Sequence, residues 1–123
     1  MPVIDATVAT EIAEEWTAAW NSHDLDKVLA LYVDDFEMRS PFIVQRGLST
    51  NGVLKGKAAV RAYWKAGIAT APAVRLELIG ALGGVDQVVI YYKSVGRRFV
   101  ASVLELDDQR RIVRDSACHG APA

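Results

Sequence analysis

"QVVIYYKSVGRRFVASVLELDDQRRIVRDSACH", residues 87–119, reads as three strands in a row, and that reading decides the fold. Residues 87–95 and 98–106 are dense in β-branched and aromatic side chains, with a turn at Gly96, and "DDQR" turns the chain into a third run at 111–119. Alternate side chains on a strand face opposite ways. Val88, Ile90 and Tyr92 therefore share one face, and Val89, Tyr91 and Val95 the other. In the next strand Phe99, Ala101 and Val103 oppose Val100 and Leu104. Upstream, residues 74–82 alternate with Val74, Leu76 and Leu78 on one side, and "GGVD" makes a hairpin turn into residue 87. Four strands on short turns form a meander.

The N-terminal half has a different period. Val8, Ile12, Trp16, Ala19 and Trp20 recur at helical spacing, with Glu11, Glu14 and Glu15 mostly off that stripe. Asp24 is a good N-cap for a second helix, whose i, i+3, i+4, i+7 face is Leu25, Val28, Leu29 and Tyr32. After Asp34 and Asp35 the period becomes two, with Phe36, Met38 and Ser40 on one face and Pro41 ending the strand. Residues 43–55 read as a surface loop, and "GKAAVRAYWKAG" (56–67) as a third helix with Val60, Tyr63 and Trp64 inward. Two helices, a strand, a helix and a meander give an α+β class, helices packed on one face of a mostly antiparallel sheet.

Composition narrows the function classes. A chain of 123 residues, 51% apolar and 24% charged with net charge −1, suits one folded domain over 1–123. Near-neutral charge argues against a nucleic-acid surface, so Arg97, Arg98, Arg110, Arg111 and Arg114 read as solvated charged turns. The single Cys118 cannot form an internal disulfide and reads as a small buried side chain. No signal peptide or membrane span is visible, so a cytoplasmic location and no membrane partner are expected.

Three stretches, "WTAAWNSHDLDKVLALYVDDFEMRSP", "LKGKAAVRAYWKAG" and "GRRFVASVLELDDQRRIVRDSACHG", resemble the nuclear transport factor 2-like superfamily, in its SnoaL-like and ketosteroid-isomerase-like branch. The resemblance covers nearly the whole chain in the right order. It implies a cone, in which a curved sheet wraps three helices around an apolar pocket holding a few polar groups. That fold hosts isomerases, cyclases, dehydratases, epoxide hydrolases and domains without chemistry, so it names no reaction.

Ketosteroid isomerases carry a tyrosine on the first helix, a base aspartate before the proline ending the first strand, and a protonated aspartate on the penultimate strand. Matching those stretches puts Trp16, Ser40 and Ser102 at the three positions. An indole is no useful acid and two serines supply no base, so ketosteroid isomerase activity is not expected. SnoaL-like cyclases use a pocket aspartate as their acid–base group, which by resemblance makes Asp115 the candidate here. Strand alternation agrees, placing Val113, Asp115, Ala117 and His119 on one face and Ile112, Arg114, Ser116 and Cys118 on the other. Four residues of strand rise about 13 Å, so Asp115 and His119 line one face at different depths without forming a dyad.

Other signals lead nowhere. "GVLKGKA" (52–58) lacks a spacer and the hydroxyl of a phosphate loop. His23, His119 and Cys118 have no metal-ligand spacing, so neither metal nor organic cofactor is expected. The reading is therefore a pocket protein for a small apolar or cyclic ligand. Asp115 is its acid–base group, and Trp16, Ser40, Tyr63, Ser102 and His119 are ligand-binding. The reaction would be an isomerisation, cyclisation, dehydration or hydration. The alternative is a non-catalytic ligand-binding or dimerisation module. Because residues 87–106 are apolar on both faces, the outer sheet face is expected to be covered by a second copy of the chain.

Overall fold

Asp5 accepts a hydrogen bond from the Val8 amide on its carboxylate at 2.8 Å, and so starts helix α1 (Ala6–Asn21). The computed structural model describes residues 2–71 and 75–121, so Val74 lies outside the described residues. The inward stripe of α1 is centred on Ala9, Ala13 and Trp16, flanked by Val8, Ile12, Ala19 and Trp20. Asp24 caps α2 (Leu25–Leu29) through the Asp26 amide at 3.0 Å.

That second helix is shorter than its periodicity implied. Tyr32 is the first residue of strand β1 (Tyr32–Arg39), not part of a helix face. The Leu31 carbonyl accepts the Ile112 amide at 2.9 Å, so pairing with a strand far along the sequence takes over where the helix ends. The expected loop also contains structure. Ser40 caps a one-turn helix α3 (Pro41–Gln45), and strand β2 (Val53–Lys55) runs antiparallel to β1. The helices of the described residues thus include α3 besides the three expected. Helix α4 (Lys57–Thr70) starts at Gly56, whose φ of 90° suits glycine. Its inward residues are Val60, Tyr63 and Trp64.

The meander is β3 (Glu77–Gly83), β4 (Gln87–Lys93), β5 (Phe99–Leu106) and β6 (Ile112–His119), with a 3-10 turn at Val95–Arg97. The sheet order is β2-β1-β6-β5-β4-β3. The β1–β6 pairing is parallel and the others are antiparallel. This is the expected α+β architecture: a six-stranded, mostly antiparallel open sheet, with the helices in the N-terminal half.

A bulge in β6 corrects the simple alternation. Glu105 pairs with Arg114 and Leu106 with Ile112, leaving Val113 as an extra residue. Ile112 and Asp115 are therefore both buried, while Val113 is exposed on the outer face. Beyond the bulge the parity is as expected, with Asp115, Ala117 and His119 facing the helices. Cys118 is exposed, not buried, because it is paired with Ala101 on the outer side of the sheet. That outer side also carries Arg114, bonded to Glu37 and Glu105 at 3.0 Å each. Tyr91 and Phe99 stack beside each other there, 41% and 42% exposed.

Candidate functional site

The inner residues of β4, β5 and β6 meet Trp16 of α1 and Tyr63 and Trp64 of α4 around a cavity of about 570 Å³. Trp16, Ser40, Tyr63, Ser102, Asp115 and His119 all lie in its wall. A shared wall does not make them one network. Their hydrogen bonds divide them into three groups and a mouth.

Asp115 is buried, only 2% exposed. Its Oδ2 accepts a 2.6 Å hydrogen bond from the Tyr32 hydroxyl, whose oxygen accepts one from the Trp16 indole N–H at 3.0 Å. Since an indole can only donate, the phenol oxygen is the acceptor and its proton must point at Asp115. The direction of the relay is fixed. The indole N–H of Trp16 is committed to it, so Trp16 offers the cavity a ring face and no donor.

Oδ1 of Asp115 has no hydrogen-bond partner among the described residues. Burial raises the carboxyl from its ordinary 3.8 to about 6, against the opposing effect of the Tyr32 hydrogen bond. Desolvation and the adjacent Asp115 push the Tyr32 phenol well above its ordinary value, so it stays a neutral donor. Asp115 is therefore mostly ionised at pH 7, with one oxygen held and the other unpartnered.

The second group joins Ser40, at the end of β1, to Tyr63 of α4. The Ser40 hydroxyl oxygen accepts from the Tyr63 hydroxyl and from the Phe42 amide, each at 3.2 Å. With both lone pairs engaged, its own proton is left for donation. In the third group, Tyr92 and Ser102 share a hydrogen bond at 3.0 Å across β4 and β5. Burial raises the Tyr92 phenol as well, so it too stays neutral.

The mouth is built by α3, the β4–β5 turn and the end of β6. His119 packs against Phe42 at 4.3 Å between ring centroids, the two rings tilted by 39°. Desolvation, then the nearby Arg98, lower its pKa from 6.5, so the imidazole is neutral at pH 7. No hydrogen bond links His119 to Asp115, in keeping with their spacing along the strand. Among the described residues no three His, Cys, Asp or Glu side chains group as metal ligands. Among the same residues no helix is long and apolar enough to cross a membrane.

Sequence reasoning missed Tyr32, Tyr92, Trp20, Arg46 and Arg98 as cavity or relay residues. Tyr92 was legible as an inner-face residue of its strand. Tyr32 was hidden by a helical spacing that the chain does not follow.

The model of the SnoaL-like domain family matches residues 13–115, and the chain belongs to that family. A SnoaL-like protein of unknown function from Burkholderia thailandensis is 39% identical, with a TM-score of 0.92 over 97% of this chain and 99% of that one. SalBIII, an epoxide hydrolase/cyclase-like enzyme of pyran ring formation in the polyether salinomycin, is 19% identical, with a TM-score of 0.71 over 94% and 93%. TerC, co-crystallised with polyporic acid, is 16% identical, with a TM-score of 0.73 over 91% of each chain. At such identities these last two share the fold alone. No curated protein matches.

Proposed function

We propose that this chain is a cofactor-independent acid–base enzyme of isomerase, cyclase, dehydratase or hydratase type, with Asp115 as its proton-transfer group. The observation that carries the reading is the Asp115 carboxyl: fully buried, in the wall of a largely apolar cavity, with one oxygen held by Tyr32 and the other without a partner among the described residues. A general base works best with a pKa near the operating pH, and burial brings this one to about 6.

The chemistry follows from the charges. A substrate in the cavity loses a proton to Oδ1, which neutralises a carboxylate that burial penalises. The negative charge moves onto the substrate, where an oxygen needs a donor. Ser40 has the free hydroxyl proton for that role, held by Tyr63 and the Phe42 amide. Tyr92 and Ser102 form a second hydroxyl pair in the wall that can orient a substrate oxygen. Trp16 and Trp64 supply apolar ring surface suited to a cyclic substrate. SalBIII, a structural neighbour, acts in the formation of a ring, which fits this reaction type.

The serines at the isomerase-like positions 40 and 102 favour a second reading, a pocket that binds without turnover. We also infer that the outer sheet face, with Val89, Tyr91, Phe99 and Val103, joins two copies of the chain, since no described helix covers it. The experiment that separates enzyme from binder is incubation with cyclic enones and epoxides in D2O, read by mass spectrometry. Deuterium incorporation or conversion that falls about a hundredfold in Asp115→Asn supports the enzyme. Binding without any Asp115-dependent conversion across the panel overturns it in favour of the second reading.

A further inference from the structure

Arg46 and Arg98 line the same cavity at its solvent side, and neither has a carboxylate partner among the described residues. Each is held by an aromatic ring instead. The Arg98 guanidinium lies 5.5 Å from the Phe42 ring centre, and that of Arg46 5.0 Å from the Tyr63 ring. Arg46 also donates to the Tyr63 carbonyl at 3.4 Å, which leaves most of its five N–H groups open. Phe42 of α3 and Arg46, which caps that helix at its C-terminus, are one turn apart, the Arg46 amide bonding the Phe42 carbonyl at 2.9 Å. The two guanidinium groups thus lie over neighbouring aromatics of one cavity wall, Arg98 over Phe42 and Arg46 over Tyr63.

The charge balance of the wall is lopsided. Its ionisable groups are the two arginines, His119, the hydroxyl pairs and Asp115. Asp115 is buried deep, on the inner side of the sheet, while Arg46 is exposed and Arg98 partly so. A positive rim over an apolar chamber suits a ligand with the opposite layout, an apolar body with an anionic end left near water. Guanidinium is the group best shaped to take a carboxylate through paired N–H donors.

Building on the reading of Asp115 as the base, we propose that the substrate is an amphipathic organic acid, a ring system bearing a carboxylate. Its rings fill the cavity and its carboxylate is held by Arg46 and Arg98. This orientation puts the reacting carbon or hydroxyl of the ring body toward Asp115 and keeps the substrate's own charge away from that carboxylate. His119 reports on the same end of the ligand, because Arg98 is one of the two causes that hold its pKa down.

The test compares a graded set of aromatic acids, benzoate, 2-naphthoate, 4-phenylbenzoate and 9-anthroate, each with its own methyl ester. Affinity is measured by calorimetry and His119 is titrated by NMR. The expected result is at least one acid bound tenfold or more tighter than its ester, with added salt narrowing the gap. Arg46→Gln and Arg98→Gln should each weaken the acid several-fold and leave the ester unchanged. The acid, and not the ester, should raise the His119 pKa. Equal binding of acid and ester, equal weakening of both by the variants, or no acid binding below millimolar concentration would overturn the proposal. The arginines would then serve only to pack against Phe42 and Tyr63. These readouts are independent of turnover. Acids that bind as expected, with no Asp115-dependent conversion of the enones and epoxides above, leave this inference standing and count against the enzyme reading. A raised Asp115 pKa with no preference for acids does the reverse.

Discussion

Asp115→Asn should make the protein more stable at neutral pH relative to acid, and the size of the effect follows from burial. Asn fills nearly the same volume and can still accept the Tyr32 hydroxyl through its amide oxygen. What it removes is the ionisable carboxyl, which takes up its proton at about 6 in the folded chain against an ordinary 3.8. Between those values the unfolded chain is ionised and the folded chain protonated, so the folded state binds more protons. Stability from this group is therefore full below pH 3.8 and is lost as pH rises through about 6. The gap is about two pH units, each worth about 1.4 kcal/mol, so the loss approaches 3 kcal/mol. About half of it should have occurred by pH 5. The Asn variant has no such loss, and its other titrating groups are those of the parent. The difference between the two proteins isolates Asp115. Urea unfolding at half-unit steps from pH 3.5 to 8 measures it. With a slope near 1.5 kcal/mol per molar urea, the relative midpoint should move by about 2 M across the range. A difference that stays flat within about 0.5 kcal/mol would refute the argument that burial raises this carboxyl. A difference of opposite sign would make Asp115 a residue whose ionised form is stabilised by the fold, and the enzyme reading would lose its base.

Tyr32→Phe removes the donor to Asp115 and leaves the Trp16 indole N–H without its acceptor. The Asp115 pKa should rise further above 6 in carbon-13 NMR, since the Tyr32 hydrogen bond lowers it, and stability should fall by about 1–3 kcal/mol. An unchanged pKa would show that the bond does not form in solution. Val89→Lys with Val103→Lys, neighbours across β4 and β5, puts two like charges on the outer face. Sedimentation should show a dimer for the parent and a monomer for the double variant, and a monomeric parent would remove the dimer proposal. Gly83→Ala directs a methyl group into the backbone carbonyl of Ile4, which cannot move aside cheaply. Thermal melts should show a loss of about 1–3 kcal/mol, and an unchanged melting temperature would mean that the N-terminal segment does not pack there.

Local chemistry determined much of this molecule. The alternation of β-branched and aromatic residues in 87–119, the helical stripe through Trp16 and the Asp24 cap are short-range patterns, and the strands and helices they implied are present. Asp115, Ala117 and His119 face inward for the same reason, since the period of two holds wherever the strand is regular. Three things needed the tertiary structure. The bulge at Val113 depends on the register of β6 against β5 across their turn, which the alternation of side chains does not specify, and it buries Ile112 and Asp115 together. Tyr32 has perfect helical spacing from Leu25, yet parallel pairing with Ile112 draws it into a strand and brings its hydroxyl to Asp115, 83 residues away. The arginines of the mouth look like surface charge in sequence. Only the placing of α3 beside the β4–β5 turn puts both on one cavity, because long-range packing, not residue type, decides which charges share a space.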